Sequence, residues 1–370
     1  MAHVYVLVLV CHRFRTLAKV CTFRGHAVTR PSTKAKDKMQ VANIRWLNQL
    51  LTARPALGLC TRRDRRRLHW GQKEDPFTIV TEGMVDLAHR IKGNSPFSDS
   101  IYNSLLLHGR GHARECSFYT LRERPDSNVV MWRYLQPTNT LLAVHCREEE
   151  VPLLRESLMQ SHLIDWQGRL CVFHVPAYLV DTVKDVVKDK GGQKLTINKC
   201  NTYTCDTIGD PYAYLAENPI RCPAGFRVAR LGRAGVSIMR NTAEYDICRT
   251  LDDMVHITKY APSVGLYEDP SVEKETIVDI ENLPFARDEE VPVAWITTSF
   301  YGALGTWMTK EGYRNHSHGQ LVVYVAAMMQ AAQGYIPHGH VDLDNNPSSN
   351  SLGKISNSIL SESVYFMFRK

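Results

Sequence analysis

Ala303-Leu-Gly-Thr-Trp-Met-Thr309, Lys310-Glu-Gly-Tyr-Arg-Asn-His-Ser-His-Gly319, the apolar run Gln320 to Gln333, and His340-Val-Asp-Leu-Asp344 form one stretch that decides the fold. It reads as strand, loop, helix, strand. Gln320 to Gln333 is apolar nearly all round and is closed by Gly334. A helix apolar on every side is buried, so this one packs against a sheet. The turn before it carries Ser317 and Gly319. Such a turn leaves the first backbone N–H groups of the helix unpaired and pointing one way. Together with the helix dipole they suit an anion such as pyrophosphate, and Arg314 can add a charge-assisted contact. A strand, loop and apolar helix occur in any α/β protein, so this stretch alone gives the class and not the ligand.

Working upstream, Pro292–Ser299 and Ala303–Thr309 read as strands joined at Phe300-Tyr301-Gly302, a hairpin turn. Gly225–Leu231 reads as a strand and Thr242–Tyr260 as a helix. A boundary falls near Asn218 to Pro223. Before it, strands at Cys116–Leu121, Val129–Leu135, Thr140–His145 and Arg169–Val175 alternate with helical spacing at Val151–Leu163 and Val180–Lys190. Downstream, Pro337–Asp344, a short helix near Ser348 and a strand at Val364–Phe368 complete the pattern. The class is α/β in the α+β sense, a mixed sheet flanked by helices. Three segments follow: 1–75, basic and poor in pattern; 76–217, a first α/β lobe; 218–370, a second.

The formal net charge of +7 is uneven. Residues 1–80 hold 16 Lys and Arg against four acids, a balance of +12, so the remainder carries −5. No acid precedes Asp37. An Arg-bearing, acid-free start has the composition of a mitochondrial transit peptide, and equally of an uncleaved basic tail on a cytoplasmic protein. The run Arg62-Arg63-Asp64-Arg65-Arg66-Arg67 has no interleaved aromatics, so it lacks the stacking platform of a single-strand nucleic-acid binder. No apolar stretch approaches the roughly 20 residues of a membrane helix. The ten cysteines include no C-x-x-C, which argues against a zinc ribbon or a thioredoxin-type motif. His338 and His340 stand at strand spacing, i and i+2, but lack a clear third ligand, and no metal is expected there.

Pro292-Val293-Ala294-Trp295, the hairpin, Tyr313-Arg314, the apolar helix and His340-Val341-Asp342 with Asn345-Asn346 together resemble the C-terminal half of the glycine N-acyltransferase family, within the GNAT superfamily. Cys222-Pro223-Ala224-Gly225-Phe226-Arg227 and Pro262-Ser263-Val264-Gly265-Leu266-Tyr267 fit the same pattern. The resemblance covers roughly 218–350. Residues 115–200 resemble, more faintly, the degenerate first half of such proteins. The resemblance implies a GNAT-type splayed sheet, acyl-CoA as co-substrate and a small-molecule amine acceptor, glycine or a similar one. It places the pyrophosphate on Arg314, Asn315, Ser317 and Gly319. It runs the pantetheine arm alongside Trp295–Ser299, with Trp295, Thr297 and Asn345 on the cofactor. Ser348 would protonate the leaving thiolate.

Two positions depart from the family. Ser317 stands where the loop normally has its first glycine, which is costly if φ is positive. Ala303 stands where the family carries a Glu thought to act as general base. His316 and His318 lie close by and could substitute as the base. The alternative is a catalytically impaired GNAT-fold protein that binds CoA or a partner. Asp269–Glu290 is longer than the family requires and reads as a duplicated segment or a retained exon.

Overall fold

A computed structural model describes residues 74–92, 98–113, 116–135, 140–193, 195–205, 210–242, 250–354 and 359–369. The basic arm, the Arg62–Arg67 run and a short helix expected at Val41–Leu51 lie outside these.

The first lobe runs β1 (Phe77–Ile79), α1 (Met84–Ile91), α2 (Asp99–Gly109), β2 (Ser117–Leu121), β3 (Val130–Leu135), β4 (Thr140–His145), α3 (Val151–Gln160), β5 (Leu170–Pro176), α4 (Val180–Asp189) and β6 (Thr196–Thr204). Strand alternation sorts its core onto two faces. Val130, Trp132 and Ala143 pack against α1 and α2 through Leu87, Ile91 and Leu105. Met131, Leu142 and Val144 pack against α3 and α4 through Leu154, Leu158, Val183 and Val187. Every residue of α2 from Asp99 to His108 is buried. Its sequence therefore lacks the one-sided apolar stripe by which an amphipathic helix is read.

The second lobe runs α5 (Pro211–Glu217), β7 (Arg221–Cys222), β8 (Phe226–Ala229), α6 (Arg233–Thr242), α7 (Leu251–Tyr260), β9 (Ser263–Glu268), β10 (Thr276–Ile277), β11 (Ala294–Thr298), β12 (Leu304–Thr309), α8 (His318–Ala332), β13 (His338–Asp342), α9 (Asn346–Leu352) and β14 (Ile359–Arg369). The helix expected over Thr242–Tyr260 is shorter at its start: Thr250 is extended, and the helix begins at Leu251, where Thr250 and Asp253 make a reciprocal capping box, while 243–249 lie outside the described residues. As expected from its composition, α8 is buried, and Val322, Val325, Ala326 and Met328 are inaccessible against β9, β11 and β12. Burying each of the larger of these side chains contributes about 1.5–3 kcal/mol.

Among the described residues three sheets form: a two-stranded β10-β7 and two larger ones, of which the first is β12-β11-β9-β8 and the second β1-β2-β3-β4-β5-β14-β6-β13. The second sheet crosses the boundary expected near residue 218. β14 of the second lobe pairs with both β5 and β6 of the first. β6 in turn carries β13, with His340 opposite Thr202. Each lobe thus supplies a strand that the other needs. The hairpin between β11 and β12 also docks on the first lobe, where Phe300 meets Trp132 edge-on at 6.0 Å and Tyr301 meets Phe173 at 6.1 Å.

The long segment Asp269–Glu290 folds onto the edge of β8. Arg230 N–H donates to Pro284 O, Ala286 N–H donates to Arg230 O, and Ile280 and Leu283 enter the core. Arg227 pairs with Asp269 at 3.3 Å and with Glu290, so both ends of the segment are tied to the strand. Its structural work is to cover an exposed sheet edge.

Candidate functional site

Pairing between β11 and β12 slips by one residue. Trp295 faces Met308 and Thr297 faces Gly305, so Thr306 and Trp307 together oppose Ile296. This is a β-bulge, and Thr306 takes it up with φ of 51°. Among the described residues β12 has no partner strand on its other side within its sheet. It nevertheless approaches β13 closely at one end, where a Cβ on Gly339 would lie 3.1 Å from Leu304 O. The edge of β12 is therefore free, and two cavities lie along it.

The outer cavity, about 440 Å³, is lined by Trp307, Met308 and Thr309 of β12, the Tyr313–Gly319 turn, Gln320, and Ser348, Ser351 and Lys354 around α9. Asn315 and Ser317 are both left-handed, at φ of 66° and 60°. Ser317 precedes the first turn of α8 and offers no side-chain cap. The first N–H groups of the helix consequently lack intrahelical partners, which is what an anion cradle requires. Arg314 is held by its Nε–H donating to Thr309 O at 3.1 Å. Among the described residues that line the wall, Arg314 and Lys354 carry a full charge and none is a carboxylate. Gly319 is there by necessity, because a Cβ would fall 2.8 Å from both Thr309 Oγ1 and Trp307 Nε1.

The inner cavity, about 40 Å³, shares Trp307 with the outer one. Ile296, Leu304, Val323, Ala327 and Leu352 make it largely apolar, and the Pro337–Val341 strand closes it.

Of the residues expected at the site, Arg314, Asn315, Ser317, Gly319, His318 and Ser348 meet on the outer cavity. Asn345 stands behind it. Its Oδ1 accepts from Ser348 N–H at 3.2 Å and caps α9. Trp295 and Thr297 line neither cavity. β11 is paired on both sides, and Trp295 is 1% exposed in a cluster with Leu231, Val236, Met239 and Met254. The free edge belongs to β12. His316 is exposed, and His318 is buried 4.6 Å from the Phe226 ring. Burial, then His316, push the His318 imidazole below its ordinary pKa. His318 lines the outer cavity, whereas His316 does not. Val323 and Ala327 of the inner cavity lie five and nine residues further along α8, or roughly 7–14 Å at about 1.5 Å per residue. Ala303 is 1% exposed and joins the cluster around α2, so no carboxylate stands there.

Trp307, Gln320, Ser351 and Lys354 were not legible as site residues, because a bulge and a free edge have no signature in a single sequence. The same holds for a buried polar chain behind the inner cavity. Ser100 Oγ lies 2.8 Å from His338 Nε2 and 3.3 Å from His340 Nε2, and Thr202 Oγ1 lies 3.0 Å from His340 Nδ1. Among the described residues no group of three or more His, Cys, Asp or Glu side chains is placed to hold a metal.

The corresponding strand-to-helix junction of the first lobe is Cys146-Arg147-Glu148-Glu149-Glu150, leading into α3. Three carboxylates at that helix start oppose an anion. Only the junction in the second lobe is suited to one.

No protein-family profile matches the sequence, and no curated protein matches it. Solved structures do. A Drosophila protein determined by a structural genomics consortium matches 80% of this chain and 99% of its own, at 16% identity and a TM-score of 0.60. A GCN5-related N-acetyltransferase from Sphaerobacter thermophilus covers 80% of this chain and 96% of its own, at 9% identity and a TM-score of 0.44. A tandem GNAT protein from the clavulanic acid biosynthesis pathway covers 79% and 97%, at 12% identity and a TM-score of 0.44.

Proposed function

We propose that the chain is an acyl-CoA-dependent N-acyltransferase of GNAT type whose acyl-CoA site is in the second lobe. The observation that carries this reading is the outer cavity: an acid-free, basic concavity built on the start of a buried helix, opening along the free edge of a bulged strand. The turn from Arg314 to Gly319 fits a pyrophosphate, with backbone N–H groups as donors and Arg314 as a charged one. The β12 edge, Leu304 to Thr309, then takes the place that the family resemblance gives to Trp295–Ser299, because its residues Leu304, Gly305, Trp307, Met308 and Thr309 line the cavities. A bulge leaves backbone groups unpaired, so one near Thr306 can polarise a thioester carbonyl and hold the oxyanion that forms. The thioester supplies an activated acyl group. The chain supplies alignment and a dry pocket, and the acceptor amine itself is the nucleophile. Glycine or another small amine is the acceptor that the family resemblance favours.

Ala303 favours a second reading, in which CoA binds without turnover. Calorimetry with CoA and a thiol-release assay with acetyl-CoA and a panel of amines separate the two. Binding with turnover supports the enzyme, binding alone supports the second reading, and absence of binding removes both.

A further inference from the structure

We propose that Tyr203 and Cys205, at the end of the first lobe's last strand, form the far end of the acyl pocket and so set the length of acyl group that is transferred. This rests on the acyl-transfer reading and deepens it by giving acyl selection to the other lobe.

Pairing decides which side chains meet the pocket. β6 runs antiparallel to β13, with Tyr203 opposite Gly339 and Asn201 opposite Val341. Cys205 N–H donates to Pro337 O at 2.9 Å, which carries the pairing one step beyond the strand. Residues opposite each other in such a pair share a face, and so do alternate residues of one strand. Tyr203 and Cys205 therefore lie on the face of Pro337, Gly339 and Val341, and all five line the inner cavity. Gly339 has no side chain to fill that face. Thr202 and Thr204 turn to the opposite face with the His338 and His340 rings, where Ser100 Oγ lies 2.8 Å from His338 Nε2.

Order along the pocket puts Cys205 away from the anion turn. The inner and outer cavities share Trp307. The outer cavity is at the head of α8, so Ala327 lies about one turn deeper than Val323. On β13 the Val341 end leads through Asn345 to α9, whose Ser348 and Ser351 line the outer cavity. Cys205 stands at the other end, beside Pro337. It belongs to the same buried cluster as Ile296, Ala327 and Leu352. Burial pushes its thiol up to about 11, so at pH 7 it is an uncharged, weakly polar wall and not a nucleophile. β6 pairs with β13 on one side and β14 on the other, so main-chain hydrogen bonds fix where this wall stands. Without β6 the pocket of the second lobe would have no floor.

The test uses the full chain and compares acetyl-, propionyl- and butyryl-CoA with the best amine from the panel. The readout is the ratio of kcat/KM between donors, which a loss of folded protein does not move. Cys205→Ala removes the sulfur from the floor. It should raise the propionyl-to-acetyl ratio about 10-fold, the usual worth of a methylene in an apolar pocket. Tyr203→Leu shortens the side wall and should raise the butyryl-to-acetyl ratio by about 10-fold as well. The Kd for CoA should stay unchanged in both, since CoA carries no acyl group. Thr204→Val, on the other face of the same strand, should leave every ratio at its wild-type value. Wild-type ratios in both pocket variants overturn the proposal. So does an equal shift in Thr204→Val, which would trace the effect to the strand and not to the pocket. A wild type that binds CoA and turns over no amine also overturns it and leaves the CoA site standing. Absence of CoA binding overturns the acyl-transfer reading itself.

Discussion

Gly302 and Asn103 lock the β11–β12 hairpin of one lobe onto a helix of the other. Asn103 Nδ2 donates to Gly302 O at 3.0 Å, and a Cβ on Gly302 would fall 2.3 Å from Asn103 Cβ. Gly302 also has φ of 87°, a conformation that side-chain-bearing residues rarely adopt. The hairpin turn between β11 and β12 can therefore hold only glycine.

Gly302→Ala should destabilise the protein by about 2 kcal/mol or more, since backbone strain and overpacking act together. Urea unfolding followed by tryptophan fluorescence checks it, through a lower midpoint at unchanged slope. An alanine variant as stable as wild type would show that the contact with α2 is looser than drawn.

Ser317 carries a backbone cost that a glycine there would avoid. Its φ of 60° is left-handed, and its side chain makes no cap bond in return. Ser317→Gly should raise stability by roughly 0.5–1 kcal/mol, the usual gain when a strained residue becomes glycine. Arg314→Ala should weaken CoA binding about 10-fold, and more at low salt than at high salt, because the lost contact is charge-assisted and partly exposed. Calorimetry across an ionic-strength series reads both the loss and its salt dependence.

On the proposed function, the inner cavity is where the acyl group would sit, and its size sets a limit. About 40 Å³ at roughly 10–15 Å³ per water-sized occupant holds about three heavy atoms, the size of an acetyl group. Acetyl-CoA should be used well, and benzoyl-CoA should lose at least about 10-fold in kcat/KM. Val323→Ala, which removes two methyl groups from the wall, should narrow that gap. Equal use of both acyl donors by the wild type would place the acyl group elsewhere.

Sequence pattern reached the second lobe well and the connections between lobes poorly. The buried helix α8, the hairpin and the strand at His340 follow from local composition, and each formed within a few residues of its expected limits. The placing of β14 between β5 and β6 does not follow, because strand partners far apart in sequence leave no local periodicity. β6 itself, Thr196-Ile-Asn-Lys-Cys-Asn-Thr-Tyr-Thr204, is polar enough to pass for a loop, yet it is paired on both sides. The Arg314–Gly319 turn at the head of α8 was legible because its residue types are themselves the signal. The free edge of β12 and the Ser100–His340 contact were not, since both depend on which strand the fold leaves unpaired.

Acid should unfold the protein through histidines buried without charge. Burial pushes His145 and His338 down to about 4 in the folded chain, against an ordinary value near 6.5. His174 and His340 are lowered further, again by burial. The unfolded chain binds more protons than the folded one between these values, so stability rises with pH across the window. It is fully present above about pH 7 and is lost as pH falls from about 6.5 towards 4. His145 and His338 would each remove up to about 3 kcal/mol by pH 4. The two positions differ in what else they touch. His145 ends β4 in the first lobe, whereas His338 binds Ser100 across the lobes. His338→Gln should therefore flatten the acid limb and weaken the contact between lobes, while His145→Gln should flatten the limb alone. Urea midpoints measured from pH 4 to 8 for wild type and both variants check this. A wild-type midpoint that does not change over that range would mean the buried imidazoles are solvated.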